Sequence, residues 1–134
     1  MFHFTGKRPA TLGVREGQLA ACSRKPNCVS SQAPPDTPHH VRPFTIEGDR
    51  ADAMTRLLAV LMAQPRCTII TQSKDYIHAE FSSAFFGFVD DVELFLPAQG
   101  NNFHIRSASR LGYTDMGTNR ARVEALREAF DNAD

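Results

Sequence analysis

The feature that most constrains the fold is a series of four strand-like runs, each rich in β-branched or aromatic residues and separated from the next by turn residues. The runs cover residues 67–72, 76–82, 86–96 and 103–110. In the second run, Ile77, Ala79 and Phe81 alternate with polar residues, which is typical of a strand with one buried and one polar face. The runs therefore predict an antiparallel sheet of four strands.

An amphipathic helix is predicted on either side of these runs. In the first, apolar residues recur every three or four positions after Asp49, a candidate N-cap, and Pro65 ends the pattern. Val123, Leu126 and Phe130 form a second apolar stripe, which predicts a helix that begins at Thr118 or Asn119. Either residue is a candidate N-cap. The sequence thus predicts a single α+β domain over residues 1–134, in the order α-β-β-β-β-α, with the helices on one face of the four-stranded antiparallel sheet.

Residues 1–45 differ from the rest of the chain. They contain six of the eight prolines and little apolar periodicity, so they are predicted to form an irregular N-terminal arm. The arm has six basic and two acidic residues, whereas the whole chain has 15 of each. Because residues 46–134 are therefore acidic overall, we expect the arm to pack on this α+β core.

The overall charge balance and the lack of long apolar runs exclude several classes of protein. A chain with no net charge is not a typical nucleic-acid binder, so no nucleic acid is predicted as a partner. No run is long enough for a membrane span or a signal-peptide core, which predicts a cytoplasmic protein. The spacing of the glycines matches neither the Walker nor the Rossmann signature of nucleotide-binding proteins. No cofactor or metal is predicted.

The three cysteines allow more than one chemistry. Reduced thiols are one expectation, and a Cys22–Cys28 disulfide in an oxidising compartment, with Cys67 left single, is another. A zinc site that adds His39 or His40 lacks the short spacing of structural zinc sites. Cys28 is also a candidate nucleophile, provided that a base and a lowered pKa activate it.

Charged residues gather on the polar face of the predicted sheet. If the last hairpin closes symmetrically, Glu93 lies opposite Arg106, with Asp91 and Arg110 diagonal to them. Glu80 with either Asp91 or Glu93 is a candidate carboxylate pair for acid–base work or for a divalent cation. The alternative is a salt-bridged sheet face, which the nearby Arg106 favours.

The loop before the second helix is a candidate anion site, because a helix N-terminus presents unpaired N–H groups and the positive end of the helix dipole. Arg110 and Arg120 flank this loop. In the alternative interpretation, Asp115 fills the position as an internal cap and the arginines pair with Asp90 and Asp91. The candidate ligand-binding residues are Arg106, Ser107, Ser109, Arg110, Asp115, Asn119, Arg120, Glu80 and Asp91.

Three segments carry a resemblance to a known family: PNCVSS at 26–31, GFVDDVE at 87–93 and RSASRLGYTDMGTNR at 106–120. In this order they resemble the domain of unknown function 1499 family, and the likeness extends from about residue 12 to residue 130. The resemblance implies a small, mostly bacterial and plastid-associated family with no established activity or catalytic residues. The chain departs from the family pattern at Ser23, where proline is expected, and in lacking an aromatic residue in the first helix.

These observations together predict a non-enzymatic binding or interaction domain for an anionic small molecule or for the acidic segment of a protein partner. A thiol enzyme that depends on Cys28 is the alternative from a different class. A purely structural component of an assembly is a third. The sequence leaves open the identity of the ligand and the oligomeric state.

Overall fold

The computed structural model describes residues 5–84 and 86–133 of an α+β protein. Residues 1–4, which belong to the predicted arm, lie outside the described residues, as do 85 and 134. The elements are β1 (Cys28–Ser30), β2 (Phe44–Thr45), α1 (Arg50–Met62), β3 (Cys67–Gln72), β4 (Tyr76–Ser82), β5 (Val89–Phe95), β6 (Asn102–Ser109) and α2 (Thr118–Asp131).

The sheet is antiparallel and has six strands rather than the four predicted. Its order is β1-β6-β5-β4-β3, and β2 pairs with the other end of β6. Both additional strands come from the arm: β1 lies opposite Arg106–Ala108 and β2 opposite Asn102–Phe103. The prediction of a wholly irregular arm was therefore wrong at these two places, because strands of two or three residues are too short to show a period.

Both helices pack on one face of the sheet. Asp49 caps α1 as predicted, its carboxylate accepting hydrogen bonds from the backbone N–H of Ala51 and Asp52 at 2.6 and 3.1 Å. Between the helices and the sheet, the rings of Phe44 and Phe103 each lie 5.8 Å from that of Phe130. Other fully buried core residues are Leu57, Leu61, Ile77, Leu94, Ile105 and Leu126.

The capping prediction for α2 was wrong. The helix begins at Thr118, but its N-cap is Gly117, whose φ of 83° is a left-handed conformation that favours glycine. Asp115 provides the cap from further upstream, accepting hydrogen bonds from the backbone N–H of Gly117 at 2.8 Å and of Asn119 at 3.2 Å. A carboxylate of the chain itself therefore occupies this helix N-terminus.

The strand register places polar side chains on the sheet face opposite the helices, here called the arm-covered face. Glu93 lies opposite Arg106 as predicted, and Glu80 lies opposite Asp91. The arm lies on this face, where the N–H of Gly13 donates to Glu93 Oε2 at 2.7 Å. Strand β5 starts three residues later than predicted, at Val89. In the described part of the chain, no helix is long and apolar enough to cross a membrane.

Candidate functional site

Arg110 is the central cation of the arm-covered face. It follows β6, and its Nε and Nη2 atoms donate to Asp91 Oδ2 and Oδ1 at 2.7 and 2.8 Å. Nη2 also donates to Glu80, which forms a second ion pair with Arg8 from the arm at 2.7 Å. Asp91 is only 1% exposed, so this pairing compensates a carboxylate that is withdrawn from water.

These ion pairs keep the carboxylates ionised. Burial raises the pKa of Asp91, but hydrogen bonds from Arg110 and His78 outweigh burial, and the net pKa lies below its ordinary value. Burial also raises the pKa of Glu80, and hydrogen bonds from Arg8 and Arg110 again lower it overall. Both groups therefore carry their charge at neutral pH.

The same cluster has the donor types of a metal site. His78, Glu80 and Asp91 each offer a ligand atom, and these atoms lie within 4.8 Å of one another. The guanidinium of Arg110 already donates to both carboxylates, and His78 Nε2 lies 2.7 Å from Asp91 Oδ1. The arrangement is therefore a salt-bridged network, the alternative that the sequence left open for the Glu80–Asp91 pair.

Arg106 has a different environment from Arg110. Its side chain is 12% exposed, and its Nη1 lies 3.8 Å from Glu93 Oε1, beyond hydrogen-bonding distance. Within residues 5–84 and 86–133, its guanidinium makes no hydrogen bond, and both Arg106 Nε and Glu93 Oε1 are buried without a partner. The other carboxylate oxygen of Glu93 accepts hydrogen bonds from Gly13 N and the Tyr76 hydroxyl.

A buried guanidinium without an acceptor is energetically unfavourable. Burial lowers the pKa of Arg106, whereas the negative charges of Glu93 and Asp91 act in the opposite direction. Leaving a buried charged donor unpaired costs more than leaving a neutral one unpaired, which is on the order of 1–3 kcal/mol. Arg106 is therefore the side chain of this face whose hydrogen-bonding capacity the described residues use least.

Arg106 lines a cavity of about 480 Å³, here called the cation-lined pocket. Of the described residues, three that line it are charged, and all three are basic: Lys25, Arg106 and Arg110. The other lining residues are Thr11, Ala21, Ser23, Asn27, Cys28, Ala108, Ser109, Leu111 and Gly112. The arm and the end of β6 thus enclose a polar, positively charged cavity.

Of the predicted ligand-binding residues, the structure places Arg106, Ser109 and Arg110 together on this pocket. Ser107 and Asn119 lie elsewhere: both are buried, and Ser107 Oγ donates to Asn119 Oδ1 at 2.6 Å. This hydrogen bond joins β6 to α2. It gives the two residues a role in helix packing and places them away from the pocket.

The predicted anion site at the start of α2 is filled by the chain itself. Burial raises the pKa of Asp115, but hydrogen bonds from Asn119 and from backbone N–H groups lower it overall. Arg120 donates to the carbonyl oxygen of Pro38 and forms no ion pair within the described residues. Asp115 is therefore an internal cap, as in the alternative interpretation of this loop. Arg110 does pair with Asp91, whereas Arg122, not Arg120, pairs with Asp90.

The sequence was also compared with known protein families. A family model described as "Protein of unknown function (DUF1499)" matches residues 18–130. The chain belongs to the DUF1499 family. The match includes every strand, all of α1, and α2 except for its last residue, Asp131. No curated protein matches the sequence.

Sequence reasoning missed part of the pocket of this DUF1499 protein. Lys25, Ser23 and Thr11 line it together with Arg106, although they lie about 80 or more positions earlier in the chain. The positive charge of the arm was the only signal in the sequence that pointed to them. That signal did not distinguish Lys25 from the other basic residues of the arm.

The cysteines form one of the pairings that the sequence left open. Cys22 and Cys28 are joined by a disulfide with Sγ atoms 2.08 Å apart, and Cys67 is a free thiol. A nucleophile or a zinc ligand must be a thiolate, which a disulfide sulfur is not. In the structure, His39 Nδ1 instead lies 2.9 Å from the carbonyl oxygen of Cys28. The oxidised protein therefore lacks the thiol that the Cys28 enzyme requires.

Proposed function

We propose that this DUF1499 domain binds an anionic small molecule in the cation-lined pocket. The observation that carries the proposal is the guanidinium of Arg106, which is largely buried and makes no hydrogen bond within the described residues. An anion next to it would accept the hydrogen bonds that the chain does not, and would offset the cost of burying the charge.

The charges around the pocket favour an anion over a neutral ligand. Arg110 donates hydrogen bonds to both Asp91 and Glu80, whereas Arg106 has only a 3.8 Å ion pair with Glu93 and Lys25 has no ion pair among the described residues, so the attraction comes mainly from Arg106 and Lys25. The planar guanidinium group suits the two oxygens of a carboxylate or phosphate. Ser109 lines the pocket at the end of β6, while its Oγ accepts a hydrogen bond from Asn119 Nδ2 at 2.9 Å on the α2 side.

The composition of the lining favours binding over catalysis. Among the described residues that line it there is no histidine, no carboxylate and no free thiol. General acid–base or nucleophilic catalysis ordinarily uses one of these groups. We therefore retain the interpretation of a non-enzymatic domain.

Isothermal titration calorimetry with inorganic phosphate, pyrophosphate and succinate tests the proposal. Lys25→Met is the informative variant, and Arg24→Met is its matched control because Arg24 is also exposed but does not line this pocket. We expect Lys25→Met to weaken binding about tenfold, the loss of one charged hydrogen bond. Arg24→Met should bind as the wild type does. Absence of binding for all three anions, or equal losses in the two variants, would contradict the proposal.

A second pair of variants tests the role of the guanidinium itself. Arg106→Lys keeps the positive charge but loses the planar pair of donors, so it should bind phosphate less tightly than the wild type. Lys25→Arg keeps a charged donor and should retain most of the affinity. Circular dichroism would establish that both variants are folded before titration.

A further inference from the structure

We propose that the Cys22–Cys28 disulfide is a redox switch that holds one wall of the cation-lined pocket in place, so that its reduction weakens anion binding. This inference rests on the proposed function, since it concerns the regulation of the same pocket. It begins from the way in which the wall is attached to the rest of the protein.

The wall is the segment 20–26, which provides Ala21, Ser23 and Lys25 to the pocket. Its hydrogen bonds within the described residues are local: Lys25 N donates to Ser23 Oγ at 3.3 Å, and Lys25 O accepts from Asn27 N at 2.8 Å. Among the described residues, no hydrogen bond joins the segment 20–26 to the sheet or to a helix. Between the two ends of the segment 20–26, the disulfide of Cys22 is thus the bond that attaches it to the rest of the protein.

The residues at the C-terminal end of the wall are firmly held. Asn27 is buried, its Nδ2 donates to Gly112 O at 2.8 Å, and its carbonyl oxygen accepts from Ser109 N at 2.9 Å. Cys28 begins β1 and lies opposite Ala108 of β6. The disulfide therefore joins a segment without long-range hydrogen bonds to the rigid edge of the sheet. Segments of this kind open locally at little free-energy cost once a tether is removed.

The exposure of the two sulfurs indicates the course of the reduction. Cys22 is partly exposed and Cys28 is only 5% exposed, so the thiolate of a dithiol reductant attacks Cys22 Sγ. The Cys22–Cys28 bond breaks and Cys28 leaves as a thiolate. The second thiolate of the reductant then attacks the mixed disulfide, releasing Cys22 as a thiolate and leaving the reductant as its cyclic disulfide. Two electrons pass from the reductant to the protein.

Reduction of the disulfide and binding of an anion should oppose each other thermodynamically. Lys25 lies on the wall and Arg106 on β6, so a bound anion would connect the wall to the sheet, whereas reduction frees the wall. By linkage, if reduction weakens anion binding, a bound anion makes reduction less favourable by the same factor.

The test compares the wild-type protein before and after reduction with excess dithiothreitol. Two properties are measured: the rate of tryptic cleavage after Arg24, identified by mass spectrometry, and the affinity for the anion that binds best among phosphate, pyrophosphate and succinate. We expect cleavage at least about tenfold faster and affinity at least about fivefold weaker on reduction. Cys22→Ser should match the reduced protein without any reductant. Cys67→Ser, which keeps the disulfide, should match the oxidised wild type.

Each negative result has a distinct interpretation. Equal affinity of the oxidised and reduced proteins would overturn the switch and leave the proposed function intact. Absence of binding in both forms would overturn the proposed function, and cleavage after Arg24 would still report on the wall. An unchanged cleavage rate would overturn the claim that the disulfide holds the wall in place. Loss of the whole circular dichroism signal on reduction would also overturn it, because the disulfide would then hold the fold rather than one wall.

Discussion

Replacement of Arg110 by methionine should destabilise the protein strongly, because it removes the cation that neutralises two carboxylates of the arm-covered face. Methionine keeps most of the length and apolar stem of arginine while removing the charge. The side chain of Arg110 is 6% exposed, and its partners Asp91 and Glu80 are 1% and 18% exposed. The change therefore leaves charges in a largely dehydrated environment.

The structure sets the size of this effect. Removal of one partner from a buried ion pair costs about 3–5 kcal/mol. Asp91 keeps its contact with His78, and Glu80 keeps its ion pair with Arg8, so the loss should lie near the lower limit, about 3 kcal/mol. That is a substantial part of the roughly 5–15 kcal/mol by which a domain is stable. The matched control is Arg120→Met, which removes an exposed hydrogen bond to Pro38 and should cost about 1 kcal/mol or less.

Urea denaturation, followed by circular dichroism, measures the loss in the free energy of unfolding. The pH dependence of this loss tests whether the unpaired carboxylates cause it. Arg110 helps to hold the pKa values of Asp91 and Glu80 below their ordinary range, against the effect of burial. In the wild type, the resulting stability is present above the unfolded pKa values near 4 and is lost as the pH falls toward the lowered values. The deficit of Arg110→Met should thus be full at pH 7 and should shrink as the pH falls below about 4. A deficit under about 1 kcal/mol, or one that does not change between pH 7 and pH 3, would refute this reasoning.

Three further predictions concern single sites. Asp115→Ala removes the cap of α2 and should lower the free energy of unfolding by about 1 kcal/mol in urea denaturation, whereas Asp115→Asn should retain only part of it, because one acceptor oxygen replaces two. Gly117→Ala forces a left-handed conformation on a residue with a Cβ, and the melting temperature should fall in proportion to a cost of about 1–2 kcal/mol. Burial, partly opposed by the charge of Arg122, raises the pKa of Cys67 to about 11, so iodoacetamide should modify it at pH 7.5 roughly a hundredfold more slowly than in the unfolded chain, as followed by mass spectrometry. Equal rates would contradict that value.

Local patterns in the sequence determined the central part of the fold. The alternation in residues 76–82 fixed which side chains of β4 face the helices, because successive side chains of a strand point to opposite faces. The turn between β5 and β6 fixed the pairing of Glu93 with Arg106, since the register of a hairpin follows from its loop. Asp49 was identifiable as a cap because capping depends on residues within one helical turn.

Contacts between distant parts of the chain decided the rest. The short strands β1 and β2 are strands only because the edge of β6 offers them hydrogen-bonding partners. Likewise, Lys25 and Arg106 share a pocket only because β1 and the arm lie alongside β6. Which acid an arginine pairs with, and which guanidinium is left without an acceptor, depends on burial and distance in three dimensions. A sequence pattern carries neither quantity, so the tertiary structure alone distinguished Arg106 from Arg110 and Arg120.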